Sequence, residues 1–511
     1  MNETLSILTL CTILIATLFL DSYQKRRRLQ ALIPPSHNAL PFIGNALSIP
    51  ALSPWKTFHA WSKELDSELI SVWAFGQLTI IIDSAKATRE LLSHRSANYV
   101  DRPRIPMLDL SGWTDTVTSL MPYGDTWRSH RRILHRQFNI SIVSGFKSTQ
   151  EAQIKPFLTK LYTTPEEFAR HVQHFTSSLA LMVAYGYQIA DEEDELSTMA
   201  FEAVEAISKA TFPGAVAVNT FPSLRNLPEW FPGAGFHTYA KTSRKMLEDL
   251  RNRPFDMVKE LMAQGKALPS ITRTLLEEPN ILSPHDEERI REVASMVYLA
   301  GAETTFSAIK TMIMAFALNP EAQRRARVEI DTVTARERLP TLDDQDVLPY
   351  VQAIVREALR WIPILPLGVI RSSISGDIYN GKIIPAGTTI FWNAWAITHD
   401  PDVYPDPDAF RPERFLDADG HLVPDDEKAV FGYGRRECVG MHFAKNTLFN
   451  AAASMLALFE FGKAKDDDGN EIEITVGCTD ALVSHPTDFK CSIRPRDEIA
   501  VQALQGIGSL A

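Results

Sequence analysis

Phe431-Gly432-Tyr433-Gly434-Arg435-Arg436-Glu437-Cys438-Val439-Gly440 decides how this 511-residue chain is read. Glycines and an aromatic ring precede a cysteine, and a helical pattern follows through Met441, Phe443, Ala444, Leu448 and Ala451 to Met455. Glycine lets a backbone adopt unusual φ angles and approach a flat ligand closely. A cysteine at a helix N-terminus beside arginine favours its thiolate, the form that ligates metal. An exposed thiolate without a partner is an oxidation liability. A buried haem iron accounts for all of these parts together.

The remaining composition narrows the field. The other cysteines are Cys11, Cys478 and Cys491, and no C-x-x-C pair occurs, which removes zinc ribbons and thioredoxin-type motifs. So few cysteines in so long a chain point to a reducing compartment and leave Cys478 and Cys491 as unassigned thiols. With 52 basic and 63 acidic residues the net charge is −11, which argues against a nucleic-acid partner. Apolar residues at 45% and charged residues at 23% are globular values, so a disordered chain is excluded.

Thr4 to Leu20 carries no charge and reaches the short end of bilayer-spanning length. Glu3 precedes the run and Lys25-Arg26-Arg27-Arg28 follow it, the reverse of a cleaved signal. The positive-inside rule then places the body in the cytosol. The expected organisation is a membrane anchor (1–24), a basic, proline-containing linker (25–45), and a single haem-binding catalytic domain (46–511), since no later linker or repeat divides the chain.

Strand-like runs are few. Ile70–Phe75 and Leu78–Ile82 flank Gly76-Gln77 and read as a hairpin. Ile378–Ile384 and Thr388–Trp392 read as short strands around Pro385-Ala386-Gly387. The best-marked helix starts at Ser283-Pro284, a cap followed by proline, and runs to Asn319-Pro320. At 1.5 Å per residue it is roughly 50 Å long. The fold class expected is mainly α with a minor β-sheet region.

At the cysteine loop the pattern Phe431-x-x-Gly434-x-Arg436-x-Cys438-x-Gly440 resembles the haem-ligand loop of cytochromes P-450. Three further motifs stand in the family's order: Trp127-x-x-x-Arg131, Ala300-Gly301-Ala302-Glu303-Thr304-Thr305, and Glu357-x-x-Arg360 followed by Pro412-x-Arg414-Phe415. The resemblance runs from the anchor to near the C-terminus and implies the cytochrome P-450 fold. It implies haem b as cofactor, with Cys438 as the axial iron ligand. Phe431, Gly434 and Gly440 would shape the haem loop, while Trp127, Arg131, Arg371 and Arg436 would hold the propionates. Glu357, Arg360 and Arg414 would form a buried charge network.

Glu303 and Thr304 would deliver protons, and the small Ala300 and Gly301 would leave room for oxygen. By the same resemblance, an apolar pocket would draw on Arg102–Tyr123, Val297–Gly301, Ile364–Ile370 and Thr479–Val483. Arg128, Arg132 and Arg136 recur every four residues and so share one helix face. With Arg435 and Lys445 they are expected to dock an acidic NADPH–cytochrome P-450 reductase, cytochrome b5 being a second donor. Only Pro34-Pro35-Ser36 stands where the family has a longer proline hinge.

The activity implied is monooxygenation of a hydrophobic small molecule by a single-pass endoplasmic reticulum enzyme. The aromatic, proline-punctuated stretch Phe221–Phe236 resembles that of fungal enzymes tailoring specialised metabolites. A terpenoid substrate is the first expectation, and aromatic, indole or polyketide skeletons are alternatives. Two competing classes are a haem-thiolate isomerase or dehydratase working without a reductase and a haem-binding sensor or carrier. The intact Glu303-Thr304 pair argues against both.

Overall fold

The protein is described from a computed structural model that covers residues 32–40, 43–50, 52–189, 194–211, 217–278, 283–424 and 428–508. The expected anchor (1–24) lies outside the described residues. Among the described residues, no helix is long and apolar enough to cross a membrane. The chain gathers into two compact units, one running to Pro103 and including Ile370–Ala396, the other comprising Arg104–Val369 and Ile397 onward.

The first unit carries the principal sheet. β1 (Leu69–Ala74) and β2 (Gln77–Ile82) form the expected hairpin. Its turn lies one residue earlier than the sequence reading, at Phe75 and Gly76, both with positive φ (49° and 85°). Two left-handed residues give a turn whose twist matches that of the flanking strands. β3 (Arg371–Ser372), β4 (Asp377–Tyr379), β5 (Lys382–Ile384) and β6 (Thr389–Trp392) follow. β6 runs parallel to β2 and antiparallel to β3, giving the order β1-β2-β6-β3.

The run Ile378–Ile384, expected as one strand, is a hairpin. Asn380 and Gly381 both take positive φ (48° and 74°) and fold β4 back onto β5. Helix α1 (Pro54–Glu64) buries Trp55, Phe58 and Trp61. It is tied to the sheet by Asn393, whose Nδ2 donates to Trp55 O and to Asp83 Oδ1, each at 2.8 Å.

The second unit is helical. Its main elements are α2 (Asp125–Phe138), α3 (Lys147–Thr163), α4 (Phe168–Tyr185), α5 (Glu195–Thr211), α6 (Phe236–Ala263), α7 (Pro284–Leu318), α8 (Pro349–Trp361) and α9 (Met441–Leu458). A two-stranded ribbon, β7 (Phe459–Lys463) with β8 (Cys491–Pro495), completes them. The fold is therefore mainly helical with small sheets. Neither Cys478 nor Cys491 forms a disulfide, and burial pushes the Cys491 thiol up to about 12.

α7 has the bounds its sequence signals predict. Ser283 Oγ accepts from Asp286 N, Pro284 occupies the first turn, and the helix stops before Asn319-Pro320. Every residue from Ser307 to Ala317 is buried. A helix buried all round runs through a core rather than over it.

α8 anchors the second unit by charge. Glu357 is fully buried, and Arg360 is 2% exposed. Arg360 grips the carboxylate with both prongs, Nε to Oε2 at 2.7 Å and Nη2 to Oε1 at 2.9 Å. Arg414 Nε donates to Oε1 at 3.1 Å and Arg411 N at 2.7 Å. Removing one partner leaves a buried charge uncompensated, at a cost of ~3–5 kcal/mol. Arg360→Ala should lose stability of that order in urea unfolding. Arg324→Ala, which removes an exposed pair with Glu321, should change it by less than ~0.5 kcal/mol.

Candidate active site

The cysteine loop is built from tight backbone. Gly434 sits at φ 58°, in the left-handed region, and opens a single helical turn through Arg436. Cys438 N then donates to Phe431 O at 2.8 Å, and α9 begins three residues on. Gly440 lies close to the thiol: a Cβ there would stand 4.0 Å from Cys438 Sγ, at ordinary contact. Phe431 is half-buried, and Lys445 Nζ lies 5.8 Å from its ring centre.

Cys438 has two faces. Its side chain is exposed, yet burial by surrounding protein pushes its thiol up. Both hold for a thiol that opens onto a cleft. A hydrogen bond from Gly440 N and the charge of Arg131 pull the other way, and burial outweighs them. The helix N-terminus and Arg131 thus act in the direction the sequence suggests, against burial, and a coordinated metal would deprotonate the thiol outright.

Two arginines attend this loop. Arg131 Nη1 donates to Glu437 O at 2.6 Å, and burial lowers the guanidinium below its usual range. Among the described residues no carboxylate pairs with Arg131. The Arg436 guanidinium stacks 4.2 Å over the Trp127 ring and donates to Met121 O at 2.8 Å and Thr118 O at 3.3 Å. Trp127 is itself buried on α2. Arg371, in the first unit, is fully buried on β3, with Nη1 3.4 Å from Tyr99 O and its guanidinium 5.3 Å from the Trp392 ring centre. That burial rules out a solvated strand charge.

An open thiol beside a desolvated cation that lacks a carboxylate fits a group carrying both a metal and acidic arms. Haem, with its iron and two propionates, is such a group. Cys438 would hold the iron, and Arg131 with Arg436 would meet the propionates.

On α7, Thr304 Oγ1 donates to Ala300 O at 2.6 Å, a back-bond within the helix. Glu303 instead faces His485, with Oε1 2.9 Å from Nε2. Burial holds the Glu303 carboxyl above its ordinary range, although His485 opposes the shift. His485 was missed from sequence because nothing local marks it. Gly301 packs toward α4, where a Cβ would lie 3.5 Å from Ala180 Cβ.

The arginine stripe is exposed along α2, but Arg128 pairs with Asp125 and Arg136 with Glu278 at 3.2 Å. A surface cleft of about 390 Å³ in the first unit, lined by Lys86, Arg89, Glu90 and Arg95 among others, holds none of the predicted site residues.

Residues 34–492 match the family model described as Cytochrome P450. A cytochrome P450 monooxygenase of Armillaria gallica is 38% identical, covering 92% of this chain and 93% of its own. Another, from Coprinopsis cinerea, is 37% identical over 99% and 100%. A tryptamine 4-monooxygenase of Psilocybe cyanescens is 34% identical over 94% and 96%. The chain belongs to the cytochrome P450 family. It is a monooxygenase, hence an oxidoreductase, of a family that uses haem iron, a redox partner and hydrophobic substrates.

The Gly301 geometry yields a test. A methyl at 3.5 Å makes ordinary contact, and alanine is up to ~1 kcal/mol better than glycine inside a helix. Gly301→Ala should raise the urea midpoint accordingly and leave the reduced carbon-monoxide spectrum unchanged.

Proposed function

We propose that this protein binds haem b through Cys438 and inserts one atom of dioxygen into an oily small molecule of a fungal secondary-metabolite pathway. The carrying observation is the exposed Cys438 thiol with desolvated Arg131 beside it. Haem iron, when bound, supplies the activation of dioxygen. Arg131, Arg436 and Trp127 bind and orient the propionate side, and buried Arg371 is assigned the same task. Phe431, Gly434 and Gly440 shape the loop that presents the thiol. Glu303 passes protons, and Thr304 retains its hydroxyl oxygen as an acceptor for a neighbouring donor.

The net reaction takes RH, dioxygen, two electrons from NADPH and two protons to ROH and water. The electrons come from NADPH–cytochrome P450 reductase, with cytochrome b5 as an auxiliary donor, at a surface containing Arg128, Arg132, Arg136, Arg435 and Lys445. All three α2 arginines being exposed supports that surface. The enzyme sits on the endoplasmic reticulum membrane, anchored once by residues 1–24, with its catalytic domain cytosolic. The uncharged run Thr4–Leu20 and the exposed aromatics Phe221, Trp230 and Phe231 support a membrane-facing protein. Trp230, at 81% exposure, is the most accessible of the three. A terpenoid is the substrate class put forward first. The tryptamine 4-monooxygenase relative makes an indole the second to try.

Cys438→Ala should abolish the red-shifted carbon-monoxide band of the reduced enzyme; survival of that band would remove Cys438 as ligand. Charge reversal at Arg132 and Arg136 should raise the reductase concentration needed for half-maximal NADPH oxidation, and the rise should shrink with salt. An unchanged, salt-independent requirement would remove the docking surface.

A further inference from the structure

Three side chains on one face of α7 hold the loop 477–488. Glu303 Oε1 meets His485 Nε2 at 2.9 Å, Ser307 Oγ donates to Ser484 O at 2.5 Å, and Lys310 Nζ donates to Asp488 Oδ1 at 2.8 Å. Positions i, i+4 and i+7 line one helical face. The loop also fixes itself: Thr479 N donates to His485 O at 2.8 Å, and His485 N donates to Thr479 Oγ1 at 3.0 Å. Ser484 N reaches Ile364 O at 2.8 Å, and Leu482 N reaches Ser208 Oγ on α5 at 3.3 Å. Phe306 packs edge-on against the imidazole, with ring centres 5.3 Å apart.

The outer atoms of the Glu303–His485 pair are its unusual feature. Glu303 Oε2 and His485 Nδ1 are both buried, and neither has a hydrogen-bond partner among the described residues. Glu303 is only 6% exposed. A buried polar atom left unsatisfied is costly. Here two such atoms terminate one hydrogen-bonded pair, at its opposite ends. A plain helix-to-loop staple needs only the inner contact, and Ser307 and Lys310 already supply two.

We propose that Glu303 and His485 work as one proton-relay pair, with His485 the positioning residue that orients Glu303 and returns the proton it gives up. The proposal rests on the proton-delivery role of Glu303 given above. In the step, the Glu303 Oε2–H bond breaks as its proton passes to an acceptor on the reaction side. Oε1 takes the proton of His485 Nε2–H, and Nδ1 takes one from a solvent hydronium, which is left as water. One proton enters, one leaves, and no electrons are exchanged. An imidazole suits this because it accepts at one nitrogen while donating from the other. The other charged groups around the pair are Glu205 on α5, which disfavours ionised Glu303, the Lys310–Asp488 ion pair, and Asp480 on the loop.

The holoenzyme with a microsomal NADPH–cytochrome P450 reductase, without added substrate, provides the test. Oxygen leaves this system as hydrogen peroxide, from one NADPH and one proton, or as two waters, from two NADPH and two protons. The peroxide fraction therefore reads proton delivery. Glu303→Gln, His485→Phe and His485→Gln should each raise it roughly twofold or more and flatten its pH profile. Gln at 485 can still hydrogen-bond Glu303 but cannot relay a proton, so His485→Gln should keep the urea midpoint near that of the parent while its peroxide fraction stays high. A parent-like peroxide fraction in His485→Gln leaves His485 a staple only and overturns the proposal.

A parent-like Glu303→Gln overturns the proton-delivery role itself. A raised fraction in Glu303→Gln with none in either His485 variant overturns the pair alone.

Discussion

A carboxylate removed from water remains charged only if donors replace the water, and Glu357 has four of them on its two oxygens. Two come from Arg360 one helical turn away. The other two, from Arg411 and Arg414, lie more than fifty residues downstream. Because two guanidinium groups share one carboxylate, backbone carbonyls must share the remaining positive charge. Arg360 donates to Thr398 O at 2.9 Å and Arg414 to Pro405 O at 3.0 Å. The segment from Thr398 to Phe415 is thereby fixed against α8, and the chain leaves that anchorage toward the cysteine loop.

The site follows a related rule, in which burial sets the charge state and neighbours adjust it. Burial raises Cys438 and Glu303 and lowers Arg131, so each group is pushed toward its neutral form. Arg131 and Cys438 favour each other's charged form, and His485 does the same for Glu303. Each group therefore depends on a specific partner for its charge, and each partner comes from a different element of the second unit.

Elements with local punctuation were legible in the sequence. Ser283-Pro284 and Asn319-Pro320 bound α7 because caps and prolines act within one turn. The cysteine loop could be read because its glycines carry the backbone requirement themselves. Asn380-Gly381 was an equally local hairpin signal that the apolar run around it obscured. His485 had no such mark. It lies 182 residues from Glu303, inside a loop, and only tertiary structure joins them. The i, i+4, i+7 spacing of Glu303, Ser307 and Lys310 was visible, but a polar stripe reads equally well as a solvated face until its cover is known. Likewise, the helix that Gly301 meets at Ala180 could not be read from its own sequence neighbourhood.

The contact between Gly301 and Ala180 also limits where this scaffold can vary. Where these two residues meet there is room for a methyl at ordinary contact, and a larger side chain at position 301 would have to displace Ala180.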